Sequence, residues 1–260
     1  MNDQPVVVGV DGSPAADVAI RWATTEAASL RTSLTLITVV TPGGSASAAG
    51  DVVYKAVALA GDLEPTVDLD PRIEHGSPST ILVKASGDAK LVVIGSRGLA
   101  LMVGALVGST GLDLAANARC PVVVVRPDLG AEAGIRVVIG YDGSSAGQAA
   151  LDFGIDYARR HDLAVRVVAA QPAGTDLHRL TETELREAVH ARGSSDAELI
   201  QITGHPAEHI LRLAADANLI VLGARGRGGF SGMLIGSVSQ TVLHHADCPV
   251  AIIPAAAVGG

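Results

Sequence analysis

Runs of apolar residues alternate along the chain with segments whose apolar positions recur at helical spacing. The first run, PVVVGV at residues 5–10, is continuous and rich in valine, which is typical of a strand buried on both faces of a parallel sheet. After it, Ser13 and Pro14 indicate a helix start, and apolar residues from Ala15 to Leu30 follow at helical spacing. The next run, SLTLITVV at residues 33–40, predicts a second strand.

The rest of the first half continues this alternation. Further helices are predicted at about residues 48–63, 77–89 and 109–117, and further strands at about residues 67–74, 91–95 and 122–126. Five strands separated by four helices, joined by right-handed crossovers, predict an α/β domain with a doubly wound parallel sheet of the Rossmann-like or flavodoxin-like kind. In such sheets, ligands bind at the carboxyl ends of the strands.

The second half repeats the first. VVVGVDGSPAADVAIRWA matches VVIGYDGSSAGQAALDFG, so that Asp11 stands opposite Asp142, and ARCPVVVV matches ADCPVAII. Gly76 stands opposite Gly204, and the offset in numbering falls from 131 at the first pair to 128 at the second. We therefore predict two tandem copies of one domain, at residues 1–128 and 135–260, joined by a short linker within residues 126–134.

Composition narrows the class of protein. The chain has 260 residues, of which 48% are hydrophobic, and a formal net charge of −8. That charge, with only six aromatic residues, argues against a nucleic-acid partner. The most apolar stretch, residues 99–107, is too short to span a bilayer, and the beginning of the chain lacks the pattern of a signal peptide. Two cysteines without such a signal favour a reducing compartment, so we expect a cytoplasmic protein without a membrane partner.

Glycines recur at a fixed spacing after one predicted strand of each copy. The spacing is Gly-x-x-Gly, nine residues, then Gly-Ser, at residues 95–109 and again at residues 223–237. Glycine at a strand exit lets backbone amides approach an anion, and the start of the next helix attracts phosphate. The alternative is that these glycines only form a strand exit and a helix start. The repetition at identical spacing favours a phosphate site.

With these motifs the sequence resembles the universal stress protein family in its tandem two-domain form. The resemblance rests on GVDGS or GYDGS after the first strand, on the glycine spacing, and on Cys-Pro before the last strand of each copy. It implies a Rossmann-like or flavodoxin-like fold and binding of ATP, with Mg²⁺. The aspartates on the adenosine side would be Asp11 and Asp142, and the backbone readers of adenine would be Val39 and Ala169.

The resemblance also implies which residues form the two phosphate loops. In the first copy they are Gly95, Arg97, Gly98, Gly108, Ser109 and Thr110. In the second copy they are Gly223, Arg225, Gly226, Arg227, Gly236, Ser237, Val238 and Ser239. The first copy has Gly111 where Ser239 stands, and its residues 99–107 carry no charge, whereas the corresponding stretch of the second copy contains Arg227. We therefore expect the second copy to hold ATP more tightly.

The sequence also contains residues that could form other kinds of site. Gly143-Ser144-Ser145-Ala146-Gly147 fits a hydrolase elbow, but Pro14 stands at the position of Ser145 in the first copy. His205 and His209 have a spacing that suits zinc, without an evident third ligand. The two cysteines precede buried strands and are interpreted as inert core residues. The P-loop and the Gly-x-Gly-x-x-Gly fingerprint are both absent from the sequence.

Three functions remain open at this point. The first is an ATP-binding stress-response or signalling protein that senses or carries nucleotide with little or no turnover. The second is a slow ATPase or self-phosphorylating enzyme that uses the same site, although no catalytic base is identified. The third is an interaction module with vestigial sites. We also expect the apolar last strands of the two copies to pair in an intramolecular pseudo-dimer, with a further homodimer as an option.

Overall fold

The computed structural model describes residues 4–96, 108–126, 134–171, 180–226 and 235–254. The chain divides into two compact units, Met1–Asp128 and Leu129–Gly260. Among the described residues, no helix combines the length and the apolar content that crossing a bilayer requires.

The first unit contains five parallel strands and four helices. In chain order these are β1 (Val6–Gly9), α1 (Pro14–Leu30), β2 (Leu34–Val40), α2 (Ala46–Leu63), β3 (Leu69–His75), α3 (Pro78–Ala85), β4 (Leu91–Gly95), α4 (Ser109–Asn117) and β5 (Val122–Val125). The strand order is β3-β2-β1-β4-β5, and every neighbouring pair is parallel. The chain thus winds outward in both directions from β1.

The second unit repeats this arrangement. Its elements are β6 (Arg136–Gly140), α5 (Ser145–Arg160), β7 (Ala164–Gln171), α6 (Glu182–His190), β8 (Glu198–Thr203), α7 (Pro206–Leu213), β9 (Ala217–Gly223), α8 (Ser237–His245) and β10 (Val250–Ile253). The strand order is β8-β7-β6-β9-β10, again with parallel neighbours. The predicted fold class, with five strands and four helices in each copy, is confirmed.

Helices cover both faces of each sheet. In the first unit α1 packs beside α2, and α3 packs beside α4. A Cβ added to Gly9 would contact Leu82 of α3, whereas one added to Gly95 would contact Ala15 of α1. A Cβ at Gly9 would therefore project from one face of the sheet and a Cβ at Gly95 from the other. Helices α1 and α3 accordingly lie on opposite sides of the sheet. The central strands are therefore buried on both faces, which explains their continuous apolar sequence.

Local hydrogen bonds shift some element boundaries from their predicted places. The second helix begins at Ala46, two residues early, because the Ser45 hydroxyl accepts the amide of Ala48. Strand β3 begins at Leu69 because the preceding residues form a turn, closed by a bond from the Val67 amide to the Glu64 carbonyl. Helix α3 ends at Ala85, where the chain turns through Ser86 and Gly87.

Candidate functional site

The exits of the fourth strand and the starts of the last helix are tied together by backbone hydrogen bonds in both units. In the first unit the Ser96 amide donates to the Val125 carbonyl (2.7 Å), and the Gly108 amide donates to the Ser96 carbonyl (3.0 Å). In the second unit the Ala224 amide donates to the Ile253 carbonyl, and the Gly236 amide to the Ala224 carbonyl, both at 2.7 Å. The two ends of each glycine motif therefore meet at the carboxyl edge of the sheet.

The motif aspartate of each unit forms a tight turn after the first strand. The amide of Ser13 donates to Oδ1 of Asp11 (3.0 Å), and the intervening Gly12 has a positive φ of 77°. The Ser13 hydroxyl then accepts the Ala16 amide (3.2 Å), which caps α1. This geometry explains why aspartate, glycine and serine follow one another here.

The second unit builds the same turn around Asp142. Its Oδ1 accepts the amide (3.0 Å) and the hydroxyl (2.6 Å) of Ser144, and Gly143 has a φ of 76°. The Ser144 hydroxyl also accepts the Gly147 amide (3.0 Å) and so caps α5. The carboxylate is half-buried, and its other oxygen, Oδ2, faces the exit of β9.

The structure brings Asp142 and Gly226 together. A Cβ added to Gly226 would lie 2.5 Å from Oδ2 of Asp142, so that no other residue fits without displacing the carboxylate. A side chain at position 226 would therefore have to displace the Asp142 carboxylate, and the two motifs lie next to each other at this edge of the sheet. In the first copy Asp11 is described, but Gly98, the counterpart of Gly226, lies outside the described residues, as does the predicted loop residue Arg97.

The first glycine of each motif has a packing explanation. A Cβ on Gly95 would lie 2.6 Å from the Ala15 carbonyl carbon, and one on Gly223 would lie 2.8 Å from the Ala146 Cβ. The strand exit and the start of the helix therefore approach too closely for a side chain in both units. For these two glycines the structural explanation considered from the sequence is sufficient.

The third glycine of each motif has no such explanation. Gly108 and Gly236 have φ values of −71° and −72°, which any residue can adopt. A Cβ on Gly108 would meet nothing within 4 Å, and one on Gly236 would make only ordinary contacts, the shortest being 3.4 Å. Nothing in the described part of either unit requires glycine at these places.

The helices that follow these glycines begin without a side-chain cap. Neither α4 nor α8 has a capping hydrogen bond, whereas α1 and α5 each use a serine. The first amides of a helix have no acceptor within it and carry partial positive charge. Ser109 and Ser237 occupy the first helical positions and are exposed, while Thr110 and Val238 are half-buried beside them. An anion placed before either helix would meet amides and a serine hydroxyl.

The resemblance implies that the Ser239 hydroxyl contacts the phosphates, but in the structure this hydroxyl has another partner. It is buried, and its hydroxyl donates to the Gly223 carbonyl (2.7 Å), so that its hydrogen is committed to the strand exit. The residue thereby fixes the first turn of α8 to the end of β9. Of the two arginines predicted for this loop, Arg225 is exposed at the exit of β9 and Arg227 lies outside the described residues.

The strand register shows which residue of the second unit corresponds to Val39, while the role of either residue as an adenine reader stays a prediction. Gly9 pairs with Ile37 in the first unit, and Gly140 pairs with Val168 in the second. The residue two positions beyond Ile37 is Val39, so its counterpart is Ala170 and not Ala169. The prediction slipped by one residue because both neighbours are alanines in an apolar run, and a slip by one reverses the face. Val39 is half-buried at the end of β2.

The described residues give the histidine pair, Ser145 and the two cysteines structural surroundings that do not resemble a catalytic or metal site. The described residues contain no group of three or more potential metal ligands, and His209 instead shares a hydrogen bond of 2.9 Å with Arg212. Ser145 is the exposed first residue of α5, where the capping is done by Ser144. Both cysteines are buried thiols outside any disulfide, and desolvation by burial raises the pKa of Cys120 to about 12. That thiol stays protonated and unreactive at neutral pH.

Similarity to known proteins covers both units. A family model described as "Universal stress protein family" matches residues 4–126 and 135–254. A universal stress protein of Mycobacterium tuberculosis is 30% identical over 282 residues, which cover 95% of this chain and 96% of that protein. The crystal structure of a universal stress protein from Archaeoglobus fulgidus DSM 4304 matches with a TM-score of 0.73 at 17% identity, and covers 98% of this chain and 100% of the other. A universal stress protein solved in complex with cAMP matches 47% of this chain and 96% of its own, with 26% identity and a TM-score of 0.41.

Proposed function

This chain belongs to the universal stress protein family, and on that basis we propose that each of its two units binds ATP with Mg²⁺. In this proposal the protein is a cytoplasmic stress-response sensor or carrier of adenine nucleotide, with little or no turnover. The family membership is the premise, and the residues at the carboxyl edge of each sheet supply the physical argument.

The observation that carries the proposal is the unexplained glycine before α4 and α8. Gly108 and Gly236 have ordinary φ values and, among the described residues, no neighbour that a side chain would overlap, yet both copies have glycine there. A ligand that fills this space when bound supplies the missing reason. The exposed, uncapped helix starts favour an anionic ligand, and a polyphosphate suits two amide-rich segments that meet at one edge.

The remaining residues fit the other parts of the nucleotide. The half-buried Asp142 carboxylate lies between the turn after β6 and the exit of β9, where it can accept hydrogen bonds from ribose hydroxyls. Asp11 has the same place after β1. The backbone at Val39, and at Ala170 in the second unit, would read the adenine edge. Mg²⁺ is commonly held by phosphates and water with few protein ligands, so a dedicated acidic cluster is not needed.

Calorimetry with single-site variants tests this proposal. Gly108→Leu should abolish ATP binding at the first site and Gly236→Leu at the second, so that each variant binds one ATP where the parent binds two. The control is Gly61→Leu at the far end of α2, where an added Cβ meets only Leu69, at 4.0 Å. A Gly108→Leu chain that still binds two ATP molecules would remove the first loop from the proposal.

A turnover assay separates the binding protein from the slow enzyme. Phosphate release and protein phosphorylation should stay at the level of the Gly108→Leu, Gly236→Leu double variant, which serves as the site-blocked control. Turnover that exceeds this control would favour the slow ATPase or the self-phosphorylating enzyme. Titration with cAMP beside ATP compares the two ligands at the same sites.

A further inference from the structure

Arg192 lies just beyond the end of α6 and fastens this helix to α5. Its Nε and Nη2 donate to the two carboxylate oxygens of Asp152 (2.6 and 3.3 Å), and its Nη1 donates to the Ala188 carbonyl (2.7 Å). Only 19% of the Arg192 side chain is exposed. A guanidinium held on several sides in this way has a fixed orientation, which a surface arginine ordinarily lacks.

The hydrogen bonds continue from Arg192 to the end of β6. Nη2 of Arg192 also donates to Oε1 of Gln148 (2.8 Å), and Nε2 of Gln148 donates to the hydroxyl of Tyr141 (2.5 Å). Tyr141 is buried, so its hydroxyl depends on this partner network instead of bulk water. A chain of polar contacts therefore runs from α6 across the first turns of α5 to Tyr141.

Tyr141 is the residue immediately before the motif aspartate. Its amide donates to the Val168 carbonyl of β7 (3.0 Å), which fixes its backbone, while Gln148 fixes its ring. Asp142 follows directly, and its Oδ1 is held by the amide and the hydroxyl of Ser144. Because the two residues share a peptide bond, a shift of the Tyr141 backbone is passed to the Asp142 carboxylate and to the turn that it forms.

The first unit has no equivalent of this chain. Val10 stands at the position of Tyr141 and carries no polar group. Asp17 and Arg21 stand at the positions of Gln148 and Asp152. The helix that follows the second strand also differs, since α2 has 18 residues where α6 has nine.

We infer that Arg192 is a positioning residue of the second site, which makes nucleotide affinity there depend on how α6 docks on α5. The inference rests on the proposed function and adds to it a coupling that is specific to the second unit. Coupling of this kind is reciprocal, so nucleotide bound beside Asp142 also holds α6 in place. In this account α6 is the part of the surface that reports occupancy of the second site.

Binding measurements test the coupling in a chain whose first site is blocked by Gly108→Leu. Arg192→Gln should weaken ATP and adenosine alike, by about tenfold, since the affected carboxylate lies on the adenosine side. Tyr141→Phe, which removes one hydroxyl and leaves the Arg192–Asp152 pair, should give a loss of similar size. The two losses should not add in the double variant, because both break the same chain.

Arg186→Gln is the matched control. Arg186 lies on the same helix and pairs with Glu182 at 2.6 Å, but its side chain is 53% exposed and the pair faces solvent. This variant should leave both affinities unchanged. If Arg192→Gln lowers the melting temperature but not the affinity, and Tyr141→Phe leaves the affinity unchanged, Arg192 is only structural and the inference is wrong.

Hydrogen exchange without ligand separates this inference from the proposed function. Arg192→Gln should raise exchange at residues 142–147 as well as at residues 182–190, whereas Arg186→Gln should leave residues 142–147 unchanged. Exchange that stays confined to residues 182–190 would overturn the coupling while leaving ATP binding intact. Failure of the parent chain to bind any nucleotide would instead overturn the proposed function and the nucleotide part of this inference.

Discussion

In the first unit Val10 precedes the motif aspartate and an 18-residue helix follows β2, whereas in the second unit Tyr141 precedes the aspartate and a nine-residue helix follows β7. Around these differences the strand order, the serine-capped turn and the close approach of the strand exit to the next helix are the same. The retained features are those that form the proposed ligand edge. The altered features lie beside that edge, where they can change affinity without changing the fold.

The glycines within one motif also differ from each other in their surroundings. Gly95 and Gly223 are explained by helix packing, and Gly226 lies where a side chain would displace the Asp142 carboxylate. Gly108 and Gly236 are required by neither. The glycines of one motif thus have three different physical explanations. Only Gly108 and Gly236, which neither helix packing nor the carboxylate explains, support binding of an external ligand.

Separating the units should have the largest effect. Residues 1–128 and 135–260, produced as separate proteins, should each associate or aggregate, because separation removes the predicted pairing of the last strands and leaves an apolar edge uncovered. Light scattering and size-exclusion chromatography measure this. Two soluble, monomeric halves would contradict the predicted pseudo-dimer.

Two glycines of one motif should differ in how strongly the same substitution destabilises the first unit. Gly95→Ala should lower the unfolding free energy of the first unit by about 1–3 kcal/mol, because the new methyl overlaps the Ala15 backbone. Gly108→Ala should change it by less than about 0.5 kcal/mol. Urea titration followed by Trp22 fluorescence reports on the first unit alone, since Trp22 is the only tryptophan of the chain. Equal destabilisation by both would remove the distinction.

The second site should bind ATP more tightly than the first, by about tenfold. Arg227 brings a charge that the first loop lacks, and one charge-assisted hydrogen bond contributes about 1.5–3 kcal/mol. Ser239 contributes indirectly, through its bond to the Gly223 carbonyl, by fixing the first turn of α8. The difference should shrink for adenosine.

Calorimetry on Ser109→Trp and Ser237→Trp chains measures each remaining site. Ser239→Ala, in the chain that keeps the second site, tests the bond to Gly223 separately. Tighter ATP binding by the chain that keeps only the first site would contradict the argument from Arg227 and Ser239.

At neutral pH the cysteine of the first unit should have the smallest effect, because its contribution to the pH dependence begins only above pH 9. Burial raises the pKa of Cys120 to about 12 from 9.0, so its contribution to stability is present below pH 9 and is lost as the pH rises towards 12. The unfolding free energy of the first unit should therefore fall above pH 9, by at most about 1.4 kcal/mol per pH unit. Cys120→Ala should reduce this slope in the Trp22-monitored titration. An unchanged slope would show that other groups cause it.

Much of the fold could be predicted because its signals are local. Valine-rich runs marked the central strands, and serine before a helix marked its start, as at Ser13 and Ser144. Because the chain contains two copies of the domain, each of these signals occurs twice. The edge strand β3 and the end of α3 were placed less well, because a turn at Val67 and one at Ser86 override the apolar pattern.

The candidate site was less predictable because the roles of its residues depend on neighbours that are close in the fold but distant in the sequence. The spacing marked all the motif glycines alike, but only their neighbours in the fold distinguish Gly95 from Gly108. The bond from Ser239 to Gly223 crosses 16 residues. Ala170 was missed although the offset that relates Asp11 to Asp142 also relates Val39 to Ala170, so a strict use of the repeat would have found it. Arg192 carries no motif, and nothing in the sequence ties it to Tyr141.

Native mass spectrometry of the whole chain with Mg²⁺ and ATP tests the central claim most directly. The account predicts a mass shift of two ATP molecules per chain at saturation, one for each unit, with the two sites filling in sequence because their affinities differ. A shift of one ATP would contradict the claim for one unit. No bound nucleotide at millimolar ATP would contradict it for both, and would leave Gly108 and Gly236 without a ligand to explain them.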